Sequence, residues 1–154
     1  MDIANKSSRK FKNPGFIGVL GGKDVISRPI HSEFDLILLS NEGITKQSLE
    51  SLIGYLGISK KAFSENILDA SVKTLERKKS TDKLSKHTSS LAIEIAKVVE
   101  HALDVFEDEE KVKGWFNSPI RALNYAKPID LFYLPTGLKM VDNILGRIEY
   151  GVYS

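Results

Sequence analysis

The residues able to do acid–base or metal chemistry are three histidines, His31, His87 and His101, and a carboxylate run, Asp108-Glu109-Glu110. Imidazoles share a metal when they recur on one helix face, as in H-E-x-x-H, but these three are scattered and His101 falls on the polar side of a helical pattern. They read as surface histidines. Consecutive carboxylates at a helix start complement its dipole more often than they act as general acid or base. Gly18, Gly21, Gly22 and Lys23 suggest a phosphate loop, yet the Walker pattern needs glycine where Ile17 stands and Ser or Thr where Asp24 stands. The absence of cysteine removes thiolate ligands, disulfides and a cysteine nucleophile. The expectation is a protein that is not an enzyme, with no catalytic residue, no metal and no cofactor.

Recognition is the chemistry the remaining residues offer. Ser59 and Ser71 suit the N-caps of two short helices joined at Leu68-Asp69-Ala70, the dimensions of a helix-turn-helix. Val72 and Leu75 would turn inward, leaving Ser71, Lys73, Thr74, Arg77 and Lys78 outward for DNA phosphates, with base reading from Lys73 or Arg77. A structural helical hairpin with a solvated basic face explains the spacing equally well. Trp115, Phe116, Tyr150 and Tyr153 are the aromatics suited to anchoring a protein partner. The apolar end after Gly151 either enters a partner's pocket or packs on its own last helix.

The elements that must position these residues are helical. The 154 residues are 42% apolar and 27% charged, a globular composition, and no segment approaches the roughly 18 apolar residues of a membrane helix. A cytoplasmic address fits, with neither export nor membrane insertion. Net charge is +1 over residues 1–58, +4 over 59–87 and −3 over 88–154, totalling the +2 of the chain.

Residues 1–15 read as a flexible basic arm. The run Phe16 to Leu20 is a brief strand or an extended segment. Ser32 caps a helix to Leu39 with Phe34, Ile37 and Leu38 as its apolar stripe, and Thr45 opens one to about Leu56 carrying Leu49, Leu52, Ile53 and Leu56. The helix after Ser59 runs to Ile67 and the one after Ser71 to about Lys79. The longest helix spans about Thr88 to Phe106, with Leu91, Ile95, Val98 and Ala102 inward. Another follows Glu107–Glu110 to Asn117. Pro119 and Pro128 each suit a helix's first turn, and Thr136 opens the last helix, with Val141, Ile144, Leu145 and Ile148 inward.

Taken in order, Thr74-Leu75-Glu76-Arg77, the helix ending Ala102-Leu103-Asp104-Val105-Phe106, and the block from Trp115-Phe116-Asn117-Ser118-Pro119 form a pattern. It continues through Ala122-Leu123, Pro128-Ile129-Asp130-Leu131, Thr136, Gly137, Val141 and Leu145-Gly146-Arg147-Ile148-Glu149-Tyr150-Gly151-Val152. This order resembles the Xre/MbcA/ParS family of type II antitoxins, from about Leu20 onward. One departure is Asn124-Tyr125-Ala126, which stands where the family often has glycines.

The resemblance implies an all-α protein: an Xre-like helix-turn-helix domain over residues 16–87, then a helical toxin-binding domain over residues 88–154. It implies a RES-domain toxin that consumes NAD as partner, obstructed at its cofactor pocket by Arg147, Glu149, Tyr150, Gly151, Val152, Tyr153 and Ser154. It also implies operator DNA as a second partner and a homodimer. The alternative is a DNA-binding transcriptional regulator whose C-terminal domain only dimerises.

Overall fold

Side-chain caps set most of the helix starts, because a Ser, Thr or Asp oxygen before an apolar run satisfies backbone N–H groups that have no intrahelical acceptor. The computed structural model describes residues 11–151, where eight α-helices and no strand occur. They are α1 (Gly15–Val19), α2 (Glu33–Glu42), α3 (Lys46–Ile53), α4 (Lys60–Ala62), α5 (Val72–Glu76), α6 (Lys86–Phe106), α7 (Glu109–Phe116) and α8 (Pro135–Glu149). A π-helical turn, Phe63–Ile67, continues α4, and two 3-10 turns, Arg121–Leu123 and Pro128–Leu131, lie between α7 and α8.

Ser32 caps α2 reciprocally: its side chain accepts from the Asp35 N–H, and the Asp35 carboxylate accepts from the N–H of Ser32. Ser59 and Ser71 cap α4 and α5 as the sequence predicts, and Thr45, expected to open α3, is its cap. Ser85 accepts from the Thr88 N–H, so α6 begins at Lys86, two residues earlier than a start at Thr88. Asp108 caps α7, while Glu107 takes the left-handed conformation that closes α6.

The 21-residue α6 is the centre of the molecule. Ala92, Ile93, Ile95, Ala96, Val98, Val99, Ala102 and Leu103 are buried around most of its circumference, a wider face than the expected stripe. It packs on α8 and α2 most extensively, then on α1 and α7, and on α3. The helices on either side of residues 87 and 88 therefore share one core.

Several expectations are corrected. Phe16–Leu20 is neither strand nor extended: Gly15–Val19 is helical, and backbone groups at its two ends are satisfied by other elements. The Phe16 N–H donates to Glu100 Oε2 at 2.6 Å, while the Ser51 and Ser48 hydroxyls donate to the carbonyls of Val19 and Leu20 at 3.0 and 2.6 Å. Five residues cannot hold a helix alone, so these contacts supply what length does not. On α2, Phe34 and Ile37 face out, 64% and 53% exposed, and Leu36 and Leu39 turn toward the core. Apolar residues occupy every side of that helix, and where α6 lies decides which are covered. Helix α5 stops at Glu76, three residues short of expectation. Pro119 precedes its 3-10 turn by two residues, and Pro135 takes the first position of α8, ahead of Thr136.

The polar connection after α5 is fastened to α3. Backbone N–H groups of Lys46, Gln47 and Leu84 donate to Asp82, Ser80 and Ile44, around an isolated antiparallel bridge between Thr45 and Lys83. Gly43, at φ +87°, allows this approach, since a Cβ there would stand 2.5 Å from the Leu84 carbonyl oxygen.

Candidate partner-binding site

The C-terminal unit is assembled by aromatic and aliphatic burial. Val112 and Phe116 turn inward from α7, and Phe116 meets Phe132 edge-to-face at 5.2 Å. Trp115 is half-buried, 5.5 Å from the Phe106 ring and 6.0 Å from Phe116, so much of it serves packing. Leu138, Val141, Ile144 and Leu145 bury one face of α8, at roughly 2 kcal/mol for each side chain. Gly137 is the position where α8 meets the Pro128–Leu131 turn, and any Cβ would overlap the Leu131 carbonyl oxygen. Asn117 ties this unit to the rest through its side-chain amide, which donates to the carbonyls of Leu56 and Lys113 at 2.9 and 2.8 Å.

This packing leaves the end of α8 at the surface. Arg147 and Glu149 are exposed, Tyr150 is 79% exposed, and Gly151 turns the chain at φ +69°. These four follow one another on one turn and its exit. Val152, Tyr153 and Ser154 lie outside the described residues. So does most of the arm assigned to residues 1–15.

His101 is not the free surface histidine its position suggests. It is half-buried, with Nδ1 2.6 Å from Asp142 Oδ1 and Nε2 3.3 Å from Glu149 Oε1. Burial pulls its pKa down, but the hydrogen bonds and charges of Asp142 and Glu149 outweigh that and raise the group above its ordinary value. No sequence signal joins residue 101 to residues 142 and 149; the pairing comes from α6 lying against α8.

The loop between the two 3-10 turns is where glycines were anticipated. Asn124 and Tyr125 both adopt left-handed backbone, at φ 55° and 67°, so the conformation glycine favours is present without glycine. Asparagine tolerates it readily and tyrosine does not. Tyr125 is held by its N–H donating to the Ile120 carbonyl at 2.9 Å, and its ring is 68% exposed.

At the other end of the molecule, Lys73, Thr74 and Arg77 are exposed around α5, and Leu75 is buried beneath them. The Ser71 hydroxyl is occupied as a cap, accepting from the Lys73 N–H at 3.2 Å. Lys78 is half-buried, and its carbonyl accepts from Lys46 Nζ at 2.8 Å, a cation at the helix's negative end. Sequence reasoning missed this clasp. Between the two ends, a cleft of about 600 Å³ borders residues 65–69, α6 and the start of α8, with Glu65, Asp69, His87, Glu94 and Tyr133 on its walls. Among the described residues no helix is long and apolar enough to cross a membrane.

Comparison with known protein families finds a match at the same C-terminal unit. Residues 101–151 match the family described as the antitoxin Xre/MbcA/ParS C-terminal toxin-binding domain. The chain is 39% identical over 59 residues to Antitoxin Xre of Photorhabdus laumondii, covering 38% of this chain and 40% of that one. It is 30% identical over 84 residues to Antitoxin Xre of Yersinia enterocolitica, covering 53% of this chain and 57% of the relative. A longer match joins it to the Prs ADP-ribosylating antitoxin of a Sphingobium species, 25% identical over 133 residues, 80% of this chain and 83% of the relative. The matched parts thus span about half the length of the two Xre relatives. With its final third, from His101 to Gly151, matching the toxin-binding domain, the chain resembles the Xre/MbcA/ParS antitoxins in that part.

Proposed function

We propose that this protein is the antitoxin of a type II toxin–antitoxin pair, a stoichiometric inhibitor and not a catalyst. The observation that carries the reading is the match of residues 101–151 to a toxin-binding domain, which here ends at the surface with Tyr150 exposed. Tyr150 and the residues after it enter the partner's nucleotide cleft, and Arg147 and Glu149 supply polar contacts at its rim. The partner is a RES-domain enzyme that consumes NAD. The name of the Sphingobium relative includes ADP-ribosylation, which supports NAD as the substrate to be guarded. The inhibitor acts as a cytoplasmic homodimer, with residues 16–87 as its helix-turn-helix domain and residues 88–154 as the toxin-binding domain. Trp115 supports the binding surface from α7.

The test is co-expression with the product of the adjacent gene. A chain truncated before Tyr150 should fail to neutralise the toxin at equal expression; unchanged neutralisation would contradict the reading.

A second role, repression of its own operon, is favoured by the basic face of Lys73, Thr74 and Arg77 on a helix that follows the Phe63–Ile67 turn after residues 68–71. In a gel-shift with the upstream promoter, replacing Lys73 and Arg77 should abolish binding and leave toxin neutralisation intact. No shift at low salt would remove this role.

A further inference from the structure

His101 spans two carboxylates of one helix. Asp142 and Glu149 stand seven residues apart on α8, two turns, and so share a side of that helix. The ring fills the interval between them, Nδ1 toward Asp142 and Nε2 toward Glu149. A neutral imidazole owns one N–H and one lone pair, so it satisfies one carboxylate and turns its lone pair to the other. Only the imidazolium donates to both.

The neighbouring charges leave this bridge to the three residues. On α6, Lys97 and Asp104 lie one turn to either side of His101. Lys97 pairs with Glu94, and Asp104 accepts from the neutral Asn13 side chain at 2.7 Å. On α8, Lys139 lies one turn before Asp142 and shares a hollow with it and Lys97. Asp142 and Glu149 are the charges that act on the ring. They lie against its two different nitrogens, and among the described residues no His, Asp and Glu group converges as a metal site would require. The arrangement is a clip across two helices.

We propose that His101 is a positioning residue for partner binding: joined to Asp142 and Glu149, it holds the last turn of α8 so that the chain leaves Tyr150 in one direction. The proposal rests on the reading that this exit meets the toxin, but the clip itself is measurable without any toxin. Glu149 is thereby a strut for the exit and not only a rim contact. Because the folded ring titrates above its ordinary value of 6.5, the clip is complete below that value and is lost as the pH rises through the folded one.

The experiment is amide hydrogen exchange over residues 146–151 of the full chain, near pH 6 and near pH 8, corrected for intrinsic exchange. Wild type should lose protection several-fold between the two. His101→Gln should be unprotected at both, and His101→Arg, a permanent cation with a planar fork, should be protected at both. Affinity for the purified product of the adjacent gene should fall on the order of tenfold in His101→Gln at the lower pH, with thermal stability little changed. Protection that ignores pH in wild type, or survives in His101→Gln, overturns the clip. Unchanged affinity in His101→Gln, where truncation before Tyr150 abolishes binding, overturns the positioning role and leaves the antitoxin reading standing. If truncation also changes nothing, the antitoxin reading has failed and takes the positioning role with it.

Discussion

The stretch from α3 to α5 and the stretch from α7 to α8 are held by different forces. The first is a series of helices of eight, three and five residues, each started by a hydroxyl cap and fastened by side chains on backbone atoms. Lys46 closes α5, and backbone bonds pin residues 80–84 to α3. The second stretch has a 15-residue helix whose apolar face closes on α6 and an aromatic contact between Phe116 and Phe132. Polar clasps fix short backbone segments and spread their stability over many small terms. Apolar burial concentrates it, which lets α8 end at the surface with an unpacked Tyr150.

The comparison is broken most strongly at Gly137. Alanine there forces the Leu131 turn away from α8, and stability should fall by about 3 kcal/mol, read as a lower denaturant midpoint. Loss of less than half that would mean the turn moves freely and the unit is not tightly packed. A clasp should cost less. Lys46→Ala removes a cation from the end of α5 and should cost about 1 kcal/mol, with faster hydrogen exchange confined to residues near 75–79. If the loss spread across the molecule, the α3–α5 stretch would not be locally clasped. The smallest change runs the other way. Tyr125→Gly relieves a left-handed tyrosine and should raise stability by up to about 1 kcal/mol, because the exposed ring contributes little packing. Destabilisation would show that the ring is held by contacts its exposure hides.

What the sequence disclosed follows the same division. Caps at Ser32, Thr45, Ser59 and Ser71 are local chemistry, decided within three residues, and each is found where the residue type places it. The inward faces of α3 and α8 were legible because apolar residues there recur on one side only. Helix α2 misled because it is apolar all round, so only α6 could choose between Leu39 and Ile37. The left-handed loop was visible only as glycines that are absent, and the conformation survives their absence at Asn124 and Tyr125. At the candidate site, the family pattern names Arg147, Glu149, Tyr150 and Gly151, and all four lie exposed at the end of α8. His101 could not be joined to Asp142 and Glu149, since that pairing belongs to the packing of two helices 41 or more residues apart.

The central claim is that the protein partner is taken by the end of α8 and not by the basic α5 region. Hydrogen exchange of the full chain, with and without the purified product of the adjacent gene, tests it directly. The account predicts new protection over residues 146–151 and none over residues 71–78. Protection over 71–78 alone, or none anywhere in a complex that forms, would contradict it.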